Sequence, residues 1–165
     1  MKKKGLISII ILLIIIGIGS FYYYNHSKSK DNISANPTSS LVQVDYVRAK
    51  DGDTLVVKEN GQEKTIRLIG IDTPESVHPN TTKNTKEGIS ASEHTKELLK
   101  DTTTLYLEYD KEKQDKYGRD LAYVWLNQDT SNTSNMLNKK LIDEGYAVPL
   151  AIKPNTKYKN IFEGK

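Results

Sequence analysis

Two short stretches hold most of the residues able to do chemistry. Asp51-Gly52-Asp53-Thr54 sets two carboxylates around a glycine, and Asp72-Thr73-Pro74-Glu75 sets two more around a Thr-Pro step. Each stretch alone reads blandly, since Asp-Gly is a common turn pair and carboxylates after a strand are usually solvated. Together they lie at the ends of two strand-like runs joined through one hairpin, which can bring Asp51, Asp53, Asp72 and Glu75 toward one cation. Oxygen donors suit a hard ion. With no cysteine and three histidines, the choice lies between Ca²⁺ and Mg²⁺.

The cationic residues point the same way. Lysine is the default base here, and the chain has only three arginines: Arg48, Arg67 and Arg119. An A/T-rich genome explains the bias, yet it leaves arginine concentrated where a planar fork is needed. Arg67 heads the apolar run that delivers Asp72, and Arg119 closes the turn-like Asp115-Lys116-Tyr117-Gly118. A guanidinium matches two phosphate oxygens at once, so two arginines beside a cation site form a phosphate clamp. A further carboxylate can then address a water molecule.

These groups need strands to hold them. Residues 41–50 and 54–58 read as strands, Asn60-Gly61 as a hairpin turn, and 64–71 as the returning strand. Residues 104–109 and 121–126 are two more. Helices are expected over 88–100, with Ser90 and Glu93 as a capping box and Leu98 and Leu99 facing inward, and from a Ser134 cap to Gly145. Five strands and two helices in so short a span predict a small β-barrel with attached helices. Trp125 alternates with its strand neighbours as a packing residue, His78 beside Pro79 reads as a loop imidazole, and His94 is assigned no role.

Ahead of this domain, Lys2, Lys3 and Lys4 precede residues 5–24, a charge-free stretch ending in Tyr22, Tyr23 and Tyr24. Twenty helical residues span about 30 Å, the thickness of a bilayer core. The lysines place the N-terminus inside and the tyrosines suit the far interface. With no Ala-x-Ala site and no lipobox cysteine, an uncleaved anchor is preferred over a cleaved signal peptide, and either exports the remainder of the chain. Residues 25–40, rich in Ser and Asn, read as a flexible linker to a domain over 41–165. Five basic residues and one acid precede residue 41, leaving 19 basic and 20 acidic residues in the domain. A protein that gripped nucleic acid by counterion release alone would want a basic excess, which a net charge of −1 does not supply, so any phosphate must be met by local charge or a metal.

The blocks DGDT, RLIGIDTPE, HP (78–79), DKYGR, LAYVW and KPN (153–155) resemble, in order and spacing, those of the staphylococcal nuclease (thermonuclease) family over residues 42–160. What the resemblance implies is an OB-fold barrel whose active site uses one Ca²⁺ to cleave DNA and RNA, single-stranded or frayed, leaving 3′-phosphates. The domain is expected to act as a monomer, held at the membrane by residues 5–24 or secreted if these are cleaved. Asp53 and Asp72 match carboxylate ligands of Ca²⁺, and Thr73 matches a ligand through its carbonyl. Asp51 matches an acid behind these ligands, and Glu75 the carboxylate that addresses the attacking water. Arg67 and Arg119 match the arginines on the scissile phosphate, and Lys116 and Tyr117 match nucleotide contacts.

Two departures stand out. Leu150 and Ile152 occupy the place of an aromatic pair that flanks the nucleotide, and lost stacking costs about 1–3 kcal/mol per base. The family's third, C-terminal helix is begun by Tyr158, Ile161 and Phe162 but is cut short at Lys165, so a marginally stable domain is expected. The rival expectation is an OB-type module that binds nucleic acid or a partner at the cell surface without cleaving.

Overall fold

The computed structural model describes residues 41–76 and 85–165. The anchor expected over 1–24, the linker over 25–40 and His78 lie outside the described residues. Among those described, no helix is long and apolar enough to cross a membrane.

Alternating apolar residues build five strands that close on themselves. β1 (Val42–Asp51), β2 (Thr54–Glu59) and β3 (Gln62–Leu68) form an antiparallel meander. Asn60 and Gly61, at φ of 51° and 80°, make the left-handed turn that Asn-Gly favours. After an excursion through a two-residue strand β4 (Ile71–Asp72) and helix α1 (Lys86–Leu98), the chain returns as β5 (Thr104–Glu108) and β6 (Asp120–Trp125). β6 pairs antiparallel with β5 and parallel with β3, while β5 pairs with β1, so the barrel runs β1-β2-β3-β6-β5 and leaves no open edge. This is the five-stranded OB barrel that the sequence predicts.

Leu55, Val57, Ile66, Leu68, Leu105 and Val124 fill the core, each no more than 1% exposed. Trp125 is fully buried among them, as a packing residue should be, and its indole N–H donates to Glu108 Oε2 at 2.8 Å.

The helices differ from expectation at their starts. α1 begins at Lys86, because Thr85 Oγ1 accepts the Gly88 N–H at 2.9 Å and caps the helix one turn earlier than Ser90. Leu99 is buried, whereas Leu98 is only partly so. The second helical region opens as a 3₁₀ turn over Thr133–Asn135, capped by the Asn132 side chain, and becomes α2 (Leu137–Asp143) afterwards. Ser134 is therefore a recipient of the cap: its N–H donates to Asn132 Oδ1 at 3.0 Å. His94 gains a structural place, with Nε2 2.5 Å from Glu144 Oε2 and its ring stacked 3.8 Å from that of Tyr146. A two-residue strand β7 (Val148–Pro149) pairs with β4, and a single turn α3 (Lys159–Phe162) comes last.

Candidate active site

The β1–β2 turn and the β3–β4 corner carry the chemistry, and both are held by backbone polar groups. Gly52 sits so close to Thr73 that a methyl group there would lie 2.8 Å from Thr73 Oγ1. Asp53 is 6% exposed. Its Oδ2 accepts the Thr73 N–H and hydroxyl at 3.1 and 3.0 Å, and its Oδ1 accepts the Thr54 hydroxyl at 3.0 Å. The corner after β3 is fixed in turn: the Ile69 N–H donates to Ala122 O, Asn138 Nδ2 donates to Ile69 O, and the Leu150 N–H donates to Gly70 O, all within 3.0 Å.

Arg67 stands between the two stretches. Its Nη1 lies 2.9 Å from Asp53 Oδ2 and donates to the carbonyls of Leu68 and Ile71 at 3.1 Å, while its Nη2 donates to Asp72 Oδ1 at 2.8 Å. Two carboxylates far apart in sequence thus converge on one cationic group. Burial pushes the Asp53 carboxyl above its ordinary value, an effect that the Arg67 guanidinium and the donors on Thr73 and Thr54 only partly offset.

The remaining acids lie further out. Asp51 ties its own turn to the segment after β4, its Oδ1 accepting the Gly52 N–H at 2.8 Å and the Ser76 hydroxyl at 2.5 Å. Glu75 is exposed, beyond Pro74, and its carbonyl accepts the Thr85 N–H at 3.0 Å. No three acidic or histidine side chains among the described residues stand close enough to cage a metal ion. The pair Asp53 and Asp72 still fits a hard cation: the donors are all oxygen, they converge, and the guanidinium between them shows that they stabilise positive charge there. Carbonyl oxygen and water would have to complete such a site.

Arg119 reaches the same region from the loop before β6. Asp115 orients it, with Oδ2 accepting from Arg119 Nε at 2.7 Å and Oδ1 accepting the backbone N–H groups of Tyr117 and Arg119 at 2.9 Å. Burial disfavours the Asp115 charge, but the donors on Arg119 and Tyr117 outweigh it and hold the carboxyl below its ordinary value. Tyr117 is 73% exposed, with Lys116 Nζ and Arg119 Cζ 5.0 and 5.7 Å from its ring centroid. The buried Asn155 anchors the start of this loop, accepting from the Glu112 N–H and donating to the Glu112 carbonyl at 2.8 Å each.

A cavity of about 370 Å³ gathers Arg67, Arg119, Lys116, Tyr117, Leu150 and Ile152 into one lining. Asp72 and Thr73 border a neighbouring groove of about 650 Å³ with Lys86 and Tyr146. The structure therefore brings Arg67, Asp53, Asp72 and Thr73 into contact and places Arg119, Lys116 and Tyr117 on the cavity that Arg67 lines, whereas Asp51 and Glu75 line neither that cavity nor the groove. Asp115, Ser76, Thr54 and Asn155 support these groups, and although three of them lie in motifs that the sequence shows, none is given a supporting role there. Only Asp115 left a signal, because an Asp two residues before Tyr-Gly is an Asx-turn former.

The Staphylococcal nuclease homologue family profile matches residues 65–164. The thermonuclease of Staphylococcus intermedius is 46% identical over 116 residues, covering 70% of this chain and 64% of that protein. The thermonuclease of Staphylococcus hyicus is 44% identical over 71% of this chain and 64% of its own length. Endonuclease YncB of Bacillus subtilis is 42% identical over 72% of this chain and 53% of its own. The matched region thus spans just under two thirds of the staphylococcal relatives and about half of the Bacillus one. A profile running from β3 through α3, matched over more than half of the chain and on a closed five-stranded barrel, means that the chain belongs to the staphylococcal nuclease family.

Proposed function

We propose that this protein is a Ca²⁺-dependent nuclease that hydrolyses phosphodiester bonds of DNA and RNA outside the cytoplasm, tethered to the cell membrane by residues 5–24 and working as a monomer. The observation that carries the reading is the shared lining: both arginines, Lys116 and Tyr117 border one cavity, and Arg67 is in direct contact with the converging pair Asp53 and Asp72. Relatives named thermonuclease and endonuclease support it.

Asp53, Asp72 and the Thr73 carbonyl would hold one Ca²⁺, which supplies positive charge against the phosphate and a place to draw water near it. Arg67 and Arg119 donate N–H groups to the phosphate oxygens, where a bidentate fork neutralises charge that grows as water attacks. Glu75 accepts the water proton as its oxygen bonds to phosphorus. The bond to the 5′ oxygen breaks and that oxygen takes a proton from solvent water, leaving a 3′-phosphate and a 5′-hydroxyl, while Glu75 returns its proton to solvent. Lys116 and Tyr117 bind the neighbouring nucleotide, and Leu150 and Ile152 offer it apolar surface without stacking.

The test is cleavage of denatured DNA by the full chain in mild detergent, with Ca²⁺ and with a chelator, beside Glu75→Gln. We expect Ca²⁺-dependent cleavage that drops about 10²–10⁴-fold in the variant, the size of a general-base contribution. Equal cleavage by both proteins would refute the assignment of Glu75. Binding without cleavage would support the rival reading of a binding module.

A further inference from the structure

On the nuclease reading, the placement of Glu75 decides the rate, yet Glu75 lies past the end of β4 and beyond Pro74. Something other than the sheet must hold it. Helix α1 approaches its backbone at close quarters. A methyl group built on Gly88 would lie 2.1 Å from the Glu75 carbonyl oxygen, 2.4 Å from its carbon and 2.8 Å from the Pro74 oxygen. These are backbone atoms, which cannot swing aside as a flexible side-chain tip can. The same helix end is tied through its cap: the Thr85 N–H donates to Glu75 O, while Thr85 Oγ1 accepts the Gly88 N–H.

The far end of α1 grips the other half of the site. Thr95 is fully buried and its hydroxyl donates to Gly52 O at 2.8 Å, in the turn between Asp51 and Asp53. The helix rises about 10 Å between Gly88 and Thr95, a rigid spacing. One helix therefore ties the turn bearing Asp53 to the corner bearing Glu75, and neither tie belongs to the barrel ladder.

We propose that α1 is the alignment bar of the active site and that Gly88 is the positioning residue for Glu75, acting by the absence of a side chain. This rests on the nuclease reading above. Any β-carbon at position 88 pushes the Pro74–Glu75 backbone outward by on the order of 1 Å, and a misplacement of that size costs a rate factor of about 10².

The test is a double-mutant cycle on the full chain in detergent at saturating Ca²⁺, with an oligonucleotide substrate. Gly88→Ala should lower kcat about 10- to 100-fold with KM changed less than about threefold. Adding Glu75→Gln to Gly88→Ala should then cost far less than Glu75→Gln costs alone, because the carboxylate is already out of place. Ile89→Gly is the control for helix stability, since Ile89 is on the same turn but 49% exposed. It should lower Tm without changing kcat. Losses that multiply independently, or an unchanged kcat in Gly88→Ala, would overturn the proposal. If Gly88→Ala does not melt cooperatively, Thr85→Ala loosens the same contact and must show the same non-additivity, and its failure to do so overturns the proposal equally. Wild-type protein that does not cleave at all refutes the nuclease reading itself and takes this inference with it.

Discussion

Arg67 is at once a clamp and a counter-ion. Its guanidinium holds Asp53, Asp72 and two carbonyls, so it builds the corner that it serves. Burial of Asp53 shows in its proton affinity, with a carboxyl raised above the ordinary value of 3.8. A folded pKa above the unfolded one means that the native state keeps the proton longer as pH rises. The contribution of Asp53 to stability is therefore greatest below about 3.8 and declines as pH climbs through the folded value. In metal-free buffer, Asp53→Asn should abolish this decline, read as the difference from wild type in denaturation midpoint between about pH 3 and 7. Carboxyl NMR should place Asp53 above 3.8 in the wild type and higher still in Arg67→Gln. Titration below that value would refute the argument.

Asp115 runs with the opposite sign. The donors on Arg119 and Tyr117 lower its pKa, so its stabilisation is complete above the unfolded value and is lost as pH falls through the folded one. Asp115→Ala removes the acceptor that orients Arg119 Nε and the backbone of the Lys116–Tyr117 loop. Hydrogen bonds to charged groups are worth about 1.5–3 kcal/mol, so kcat/KM should fall roughly 10- to 100-fold. Steady-state kinetics with unchanged Ca²⁺ half-saturation would place the loss at Arg119.

At the scale of elements, the sequence makes the barrel legible because its strands carry strong local signals. Leu55, Val57, Ile66 and Leu68 alternate toward the core, and Asn60-Gly61 permits one kind of turn. The pairing of β4 with β7 is not legible, since two-residue strands have no period to read and Val148 is exposed. The helix starts are hard to read for a related reason: Thr85 and Asn132 cap by geometry, and Ser90-x-x-Glu93 offers the same letters inside the helix. In the site, the contact of Arg67 with Asp53 and Asp72 follows from chain direction and hairpin register. The holders Ser76, Thr95 and Asn155 are ordinary polar residues whose partners lie 25 to 43 residues away, beyond any local pattern.

Gly52 shows how closely the elements are fitted. A methyl group there would meet Thr73 Oγ1 at 2.8 Å and the Thr73 Cβ and Cγ2 atoms at 3.0 Å, displacing the residue whose N–H and hydroxyl hold Asp53. Gly52→Ala should weaken Ca²⁺ half-saturation about 10- to 100-fold, as loss of a group supporting metal ligands does. Overpacking should also cost about 1–3 kcal/mol of stability. A Ca²⁺ titration followed by intrinsic fluorescence, beside a denaturant curve, checks both. Unchanged Ca²⁺ affinity would separate Thr73 from the metal site.

For the whole molecule, the decisive question is how a single helical turn at residues 159–162 supports a barrel. Tyr158 and Phe162 are buried, and both pack on Tyr123, with ring centroids 4.7 and 6.1 Å away. Glu108, fully buried, gathers the Trp125 indole N–H, the Tyr158 hydroxyl and Lys157 Nζ, so a polar hub fastens the C-terminal turn to β5 and β6. Phe162 also covers the β3–β4 corner: a β-carbon on Gly70 would lie 2.6 Å from its ring. Gly70 stands between Arg67 and Asp72, so the last turn braces the residues that hold the site together. Phe162→Ala removes a buried ring at a cost of about 3 kcal/mol, equivalent to a fall in Tm of about 10–20 °C for a domain of this size. Well below that Tm, the variant should also bind Ca²⁺ more weakly, because the corner carrying Asp72 is no longer backed. Scanning calorimetry with and without Ca²⁺ reads both effects: the Ca²⁺-induced rise in Tm should shrink in Phe162→Ala and stay intact in Ile161→Ala, whose side chain is 40% exposed.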